Sequence, residues 1–215
     1  TGHGQKVAVS SFLGNFIEWF DYASYSYFAT TIALVFFPTD NHTVAMLQTF
    51  GVFALSFILR PIGALFWGSY GDKKGRKAAL AHSIMFMSGA SFLIGCLPSY
   101  SVIGVGAPIL LLLLRMVQGF SASGEYAGAA TFLGEYAPTS KRGIYCSLIP
   151  ASTAIGLLAG STLATLMTAN MNSSAMVGWG WRVPFLLAGP LGLIVLYIRA
   201  KLADYPRLPV DERCA

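Results

Sequence analysis

Charge is what this sequence has least of. Only 11% of its 215 residues are Asp, Glu, Lys or Arg, where a soluble domain carries about 25%. That deficit argues against a soluble enzyme or a nucleic-acid binder. It also excludes a disordered chain, which needs low hydrophobicity and high net charge. Cysteine is almost missing. Cys96, Cys146 and Cys214 are scattered without CxxC or Cys/His spacing, so neither a disulfide framework nor a zinc site is expected. Cys96 and Cys146 lie in apolar runs and read as small packing residues. Histidine is equally sparse, at His3, His42 and His82. Gly119-Phe120-Ser121-Ala122 looks like a serine-nucleophile motif, but no histidine lies at its depth to act as general base. No enzyme, metal or organic cofactor is therefore expected. Nor does the start read as a secretory leader: the apolar stretch from Lys6 to Pro38 is too long and lacks a small-residue cleavage site.

What the chain has is apolar length. Hydrophobic residues make up 55% of it, and the mean hydropathy is +0.62. A helix crosses a bilayer of about 30 Å with about 20 apolar residues. Six stretches qualify, at about 8–37, 44–70, 78–98, 107–136, 143–168 and 182–199. The net charge of +5 sits in short loops, and its distribution gives an orientation. Lys6, Lys73, Lys74, Arg76, Lys77, Lys141, Arg142, Arg199, Lys201, Arg207 and Arg213 fall on one side, while 38–43 and 99–106 carry no Lys or Arg. The positive-inside rule then puts both termini in the cytoplasm. Trp179 and Trp181, at the last outer loop, read as interfacial anchors.

Against this apolar background a few charges stand at membrane depth. Such residues cost at least about 2.5–3.5 kcal/mol to insert and usually mark a pathway. At about 100° per residue, Asn15, Glu18, Asp21, Tyr22 and Tyr25 share one face of the first span. Arg115, Gln118 and Glu125 share one face of the fourth, and Arg60 lies in the second beside Pro61. Three carboxylates and two arginines suit a pathway that binds a charged or zwitterionic solute and moves a proton. A carboxylate in low dielectric can exchange protons near neutral pH unless a cation holds it ionised. The plainer reading is a set of structural ion pairs, for example Arg115 with Asp21. Tyr22, Tyr25, Tyr27 and Phe28 could cage a quaternary ammonium, although such stripes are more often lipid-facing or packed. The GxxxG pairs Gly124/Gly128 and Gly156/Gly160 signal close helix packing.

The loop between the second and third spans is more specific. Gly68, Gly71, Asp72, Lys73, Lys74, Gly75, Arg76 and Lys77 resemble the loop motif of the major facilitator superfamily, and Arg115-Met116-Val117-Gln118-Gly119 resembles its second signature. Closer patterns resemble the metabolite:proton symporter family, nearest to proline/betaine transporters. These are Gly14-Asn15-Phe16-Ile17-Glu18-Trp19-Phe20-Asp21, Arg60-Pro61-Ile62-Gly63, Gln118 to Tyr126 and Gly180-Trp181-Arg182-Val183-Pro184-Phe185. The likeness runs from about residue 7 to 204.

That resemblance implies an all-α membrane fold, in which six spans form the N-terminal half of a twelve-helix carrier. It implies two three-helix repeats, about 8–98 and 107–199, and a central site between halves. The function implied is proton-coupled uptake of a small zwitterionic or carboxylate solute across the cell inner membrane, by alternating access. The proton gradient would be the energy source. Gly68, Asp72, Gly75, Arg76 and Lys77 would form a cytoplasmic gate, with Asp72 at the N-terminus of the third span, where the macrodipole favours an anion. Antiporters of the superfamily carry a Gly-Pro pair in the fifth span; Gly156 and Gly160 occur without it, which favours symport. The expected partners are lipid, solute, protons and either a missing second half or a second copy, with no nucleic acid. Residues 205–215 have no counterpart in the family and read as a cytoplasmic tail ending in an abnormal stop. A non-transporting membrane subunit and a dicarboxylate, citrate or α-ketoglutarate symporter are the alternatives.

Overall fold

The computed structural model describes residues 2–201, apart from the side chains of Gly2, His3 and Tyr136. The tail 205–215, with Arg207, Arg213 and Cys214, lies outside the described residues. The chain runs through α1 (Gly2–Tyr27), α2 (Ala29–Phe36), α3 (His42–Ile58), α4 (Arg60–Lys74), α5 (Arg76–Cys96), α6 (Tyr100–Ile103), α7 (Gly106–Tyr136), α8 (Arg142–Asn170), α9 (Ser173–Ala175) and α10 (Arg182–Ala200). A 3-10 turn (Thr139–Lys141) precedes α8, and a π-helical turn (Met176–Gly180) precedes α10. No strand occurs among the described residues.

Six spans emerge, two of them in two pieces. The first joins α1 to α2 through Phe28, whose amide still donates to Ser24 O at 3.0 Å while its carbonyl accepts from Ile32. The second joins α3 to α4 at Leu59, just before Pro61, which has no amide hydrogen to continue the ladder. Side chains set other ends. Asn41 Oδ1 accepts from the Thr43 and Val44 amides to cap α3, and Gly75, at φ 98°, turns α4 into α5. Five segments, 42–74, 76–96, 106–135, 139–170 and 173–200, are long and apolar enough to cross a membrane. The first span is not among them. Asn15, Glu18 and Asp21 make it too polar, and it can be so because α1 is enclosed by α7, α8 and α10.

The tightest packing pairs α1 with α8 and α5 with α10; α7 lies against α3, α4 and α5. Glycine allows the closest approaches. A Cβ at Gly156 would sit 2.9 Å from Phe16 O, one at Gly160 2.5 Å from Ala23 Cβ, and one at Gly124 2.7 Å from Trp67 Cγ. The GxxxG pairs are therefore packing devices, as expected.

Apolar layers alternate with polar ones along the bundle. Near the loop of residues 73–77, Val7, Leu80, Ala129, Phe132 and Ile149 pack together. Ile17, Ile84, Met87, Ala122, Ala188 and Val195 form the middle layer. Tyr25, Phe36, Ile94, Leu111, Trp181 and Phe185 form the third.

The structure departs from four of these expectations. Trp181 is not an interfacial anchor: it is fully buried against Phe36 and Phe185, while Trp179 is 56% exposed. Cys96 and Cys146 are exposed rather than packed. Asp72 lies in the last turn of α4, not at the start of the third span. Arg199, counted among the loop cations, is buried inside the bundle.

Candidate functional site

Between the middle and third apolar layers lies a closed ring of hydrogen bonds. Arg115 Nη1 on α7 donates to Asp21 Oδ2 on α1 at 2.7 Å and to Gln118 Oε1 at 2.5 Å. Gln118 Nε2 donates to Ser91 Oγ on α5, and Ser91 Oγ donates to Asp21 Oδ1 at 3.3 Å. The guanidinium lies 4.2 Å from the Tyr25 ring centroid and 5.3 Å from that of Phe53. Tyr25 is held in place by its own hydroxyl, which donates to Thr49 O at 2.7 Å. All four members of the ring are buried. A buried ion pair survives desolvation only with such extra hydrogen bonds.

One helical turn away, Glu18 Oε1 accepts from Arg60 Nη2 at 2.6 Å. Arg60 Nη2 also reaches Tyr22 Oη, and the guanidinium lies 5.1 Å from the Tyr22 ring and 4.7 Å from the Phe57 ring. This pair is unequal in exposure: the Arg60 side chain is 26% exposed, that of Glu18 only 1%. Glu18 Oε2 and Arg60 Nε have no hydrogen-bond partner.

A third charged cluster lies between the middle layer and the 73–77 end. Arg199 on α10 grips Glu125 on α7 with both terminal nitrogens, Nη1 at 3.0 Å from Oε2 and Nη2 against Oε1. Ser83 Oγ on α5 donates to Glu125 Oε2 at 3.2 Å. Arg199 also donates to the carbonyls of Leu80 (2.6 Å) and Ser10 (3.3 Å). Four spans thus meet at one fork-shaped ion pair. Gly14 on α1 faces it, where a Cβ would collide with Glu125 Oε1 and lie 2.6 Å from Arg199 Nη2.

The remaining expected residues fall as follows. Asn15 turns to α8, donating to Ile149 O at 3.0 Å and to Ser152 Oγ and Thr153 Oγ1 at 2.8 Å each. The face shared by Asn15, Glu18, Asp21, Tyr22 and Tyr25 is real, but its members reach three different neighbours. Glu125 stands apart from Arg115 and Gln118 despite sharing their helix face. The aromatic cage does not form. Tyr27 is 62% exposed, Phe28 is in the apolar core, and Tyr22 and Tyr25 are occupied by the protein's own arginines. In the loop motif, Arg76 Nη2 lies 3.2 Å from Glu135 Oε1, both half-exposed. Gly68 and Asp72 line a groove with Trp67, Gly124 and Thr131 between α4 and α7. Arg182 caps the third span: its Nη1 donates to Gly95 O at 3.2 Å and to Leu97 O, which favours a cation at that C-terminus. No group of three or more potential metal ligands occurs among the described residues.

Ser91, Ser83, Phe53 and Arg199 escaped the sequence reading. The serines sit in a run of small residues (Ser88 to Ser91) or in an apolar helix, where they look like packing. Arg199 gave no signal: it stands next to last in the apolar run that ends at Ala200, where an arginine reads as a loop cation.

Residues 6–211 match the family model described as sugar (and other) transporter. The glycine betaine/proline/ectoine/pipecolic acid transporter of Dickeya dadantii is 43% identical over 205 residues, 95% of this chain and 41% of its own length. The proline/betaine transporter of Escherichia coli K12 is 42% identical over the same 95% and 41%. The chain therefore spans about two fifths of the length of these relatives. Among solved structures, a D-xylose-proton symporter superposes with a TM-score of 0.83 at 17% identity, over 95% of this chain and 49% of that one. A major facilitator superfamily proton:xylose symporter bound to 6-bromo-6-deoxy-D-glucose superposes at 0.81 and 16%, over 93% and 44%. At such identities the likeness concerns the fold alone.

Proposed function

The chain belongs to the sugar (and other) transporter family of the major facilitator superfamily, as a multi-pass six-helix half, and from that premise we propose that it forms half of a proton-coupled solute symporter. The solute is a small zwitterion such as proline or betaine, taken up by alternating access across the cell inner membrane with both termini in the cytoplasm. The second half is supplied by six further spans or by a second copy. Asp72, Arg76 and Lys77 serve as the cytoplasmic gate, and Arg76 with Glu135 contributes its surface pair. Carboxylates of the first span couple the proton.

The observation that carries this reading is the buried Asp21–Arg115 ring joining the first, third and fourth spans. A bundle needing only stability would be as well served by apolar residues of similar volume, whereas an intramembrane charge pair is expected on a transport pathway. The identity of the relatives favours a zwitterion. Helix pairing supports two inverted three-span repeats: α1 against α8 mirrors α7 against α4, and α5 against α7 mirrors α10 against α1.

Uptake of radiolabelled proline into proteoliposomes tests the reading. With the complete carrier, an inward proton gradient drives accumulation and a protonophore abolishes it. Accumulation that persists after the gradient collapses would exclude proton coupling. Competition by unlabelled betaine, citrate and α-ketoglutarate separates the zwitterion from the carboxylate alternative, and absence of any uptake leaves the non-transporting subunit.

A further inference from the structure

The three buried carboxylates are not equivalent. Both oxygens of Asp21 are bonded, to Arg115 and Ser91. Both oxygens of Glu125 are bonded, to Arg199 and Ser83. Glu18 has only Oε1 bonded, while Oε2 is buried without a donor. An unpaired buried polar atom costs about 1–3 kcal/mol, and more when charged, and attaching a proton removes that charge. The cations differ as well. Arg115 and Arg199 are sealed in the bundle, but Arg60 is 26% exposed along its side chain. Arg60 has an open side through which to leave a neutral partner; the other two do not.

A second observation extends from the same carboxyl. Ser11 Oγ, Asn15 Oδ1 and Trp19 Nε1 are also buried without partners. Ser11, Asn15, Glu18 and Trp19 fall within roughly 100° around α1 by helical spacing. Ser11 is about 10 Å from Glu18 along the axis, toward the end that carries the 73–77 loop. Buried polar atoms in such a file are the partners that ordered water requires.

Resting on the symport reading above, we propose that Glu18 is the proton-carrying group and that the file through Asn15 to Ser11 is its hydrated route toward the 73–77 side. Glu18 Oε2 accepts a proton from water on the opposite side, becomes neutral and releases Arg60. The proton then leaves to water in the file, and the Glu18 carboxylate regains Arg60. One proton enters and one departs in each cycle. The charged groups that act on Glu18 are Asp21 on its own helix, Arg60 from α4 and Glu125 from α7; Asp21 and Glu125 are in turn paired with Arg115 of α7 and Arg199 of α10. The neighbouring α8 and α5 present the hydroxyls of Ser152, Thr153, Ser83 and Ser91. Asp21, in this scheme, is a positioning residue that stays ionised to hold Arg115.

The complete carrier in proteoliposomes distinguishes these roles with radiolabelled proline as probe. Glu18→Gln should reduce gradient-driven accumulation by at least about a hundredfold, yet leave proline counterflow, which needs no net proton movement, near the wild-type rate. Asp21→Asn should depress both. Retained counterflow shows that the Glu18 variant is folded. Undiminished accumulation by Glu18→Gln overturns the proposal, and so does loss of its counterflow together with accumulation. Counterflow retained in Asp21→Asn but lost in Glu18→Gln would exchange the two roles. If the wild-type carrier moves no proline at all, the transport reading fails instead.

Discussion

The Glu125–Arg199 fork and the Glu18–Arg60 pair are both ion pairs at membrane depth, yet they are built on opposite terms. The fork is closed. Each carboxylate oxygen has a donor, the arginine has two further carbonyls, and four spans contribute. The Glu18 pair is open, with one carboxylate oxygen and one guanidinium nitrogen unpartnered and the cation reaching the surface. A closed pair fixes helices relative to one another; an open pair can exist in two states. The difference lies in the count of satisfied atoms rather than in the distance between charges, which is short in both.

This contrast can be broken experimentally, starting with its strongest member. Arg199→Ala leaves the Glu125 carboxylate buried and uncompensated, and should destabilise the bundle by about 3–5 kcal/mol, read as a fall in thermal midpoint in detergent. Replacing both partners by apolar residues, Glu125→Leu with Arg199→Met, should recover most of that loss. If the double variant is as unstable as the single one, the fork does more than neutralise charge. Gly14→Ala comes next. Its methyl would press on the same fork, and overpacking of this kind costs about 1–3 kcal/mol. A parallel drop in midpoint without change in the Glu18 pair's behaviour keeps the two sites separate. Arg60→Ala should cost less than Arg199→Ala, about 1–3 kcal/mol, because the buried Glu18 carboxyl left without its cation can take up a proton and become neutral. A loss as large as that of Arg199→Ala would erase the distinction.

How much of this was legible beforehand follows from helix geometry. The six spans, the polar face of α1 and the pairing of Asp21 with Arg115 could be read because hydrophobic runs and a period of 3.6 are local properties. The family motifs supplied the half-carrier architecture. What could not be read is which neighbour each member of a polar face meets. Asn15, Glu18 and Asp21 lie three residues apart, yet they reach α8, α4 and α7. Arg199 was misassigned because a terminal arginine can equally snorkel into water, and only packing depth distinguishes the two. Trp181 was misassigned for the converse reason, that an aromatic next to a loop looks like an anchor until Phe36 closes over it. Asp72 shows the limit at boundaries: one glycine, Gly75, decides whether it ends one helix or starts another.

The alternation of apolar and charged layers has a mechanical consequence. Each span carries its polar side chains at fixed heights, so a shift of one span by a single turn, about 5.4 Å, would bring Asp21, Arg115 or Glu125 opposite an apolar layer and strand its partner. Helices held in this way keep their register like notched rods. Sliding one past its neighbour would break these buried pairs.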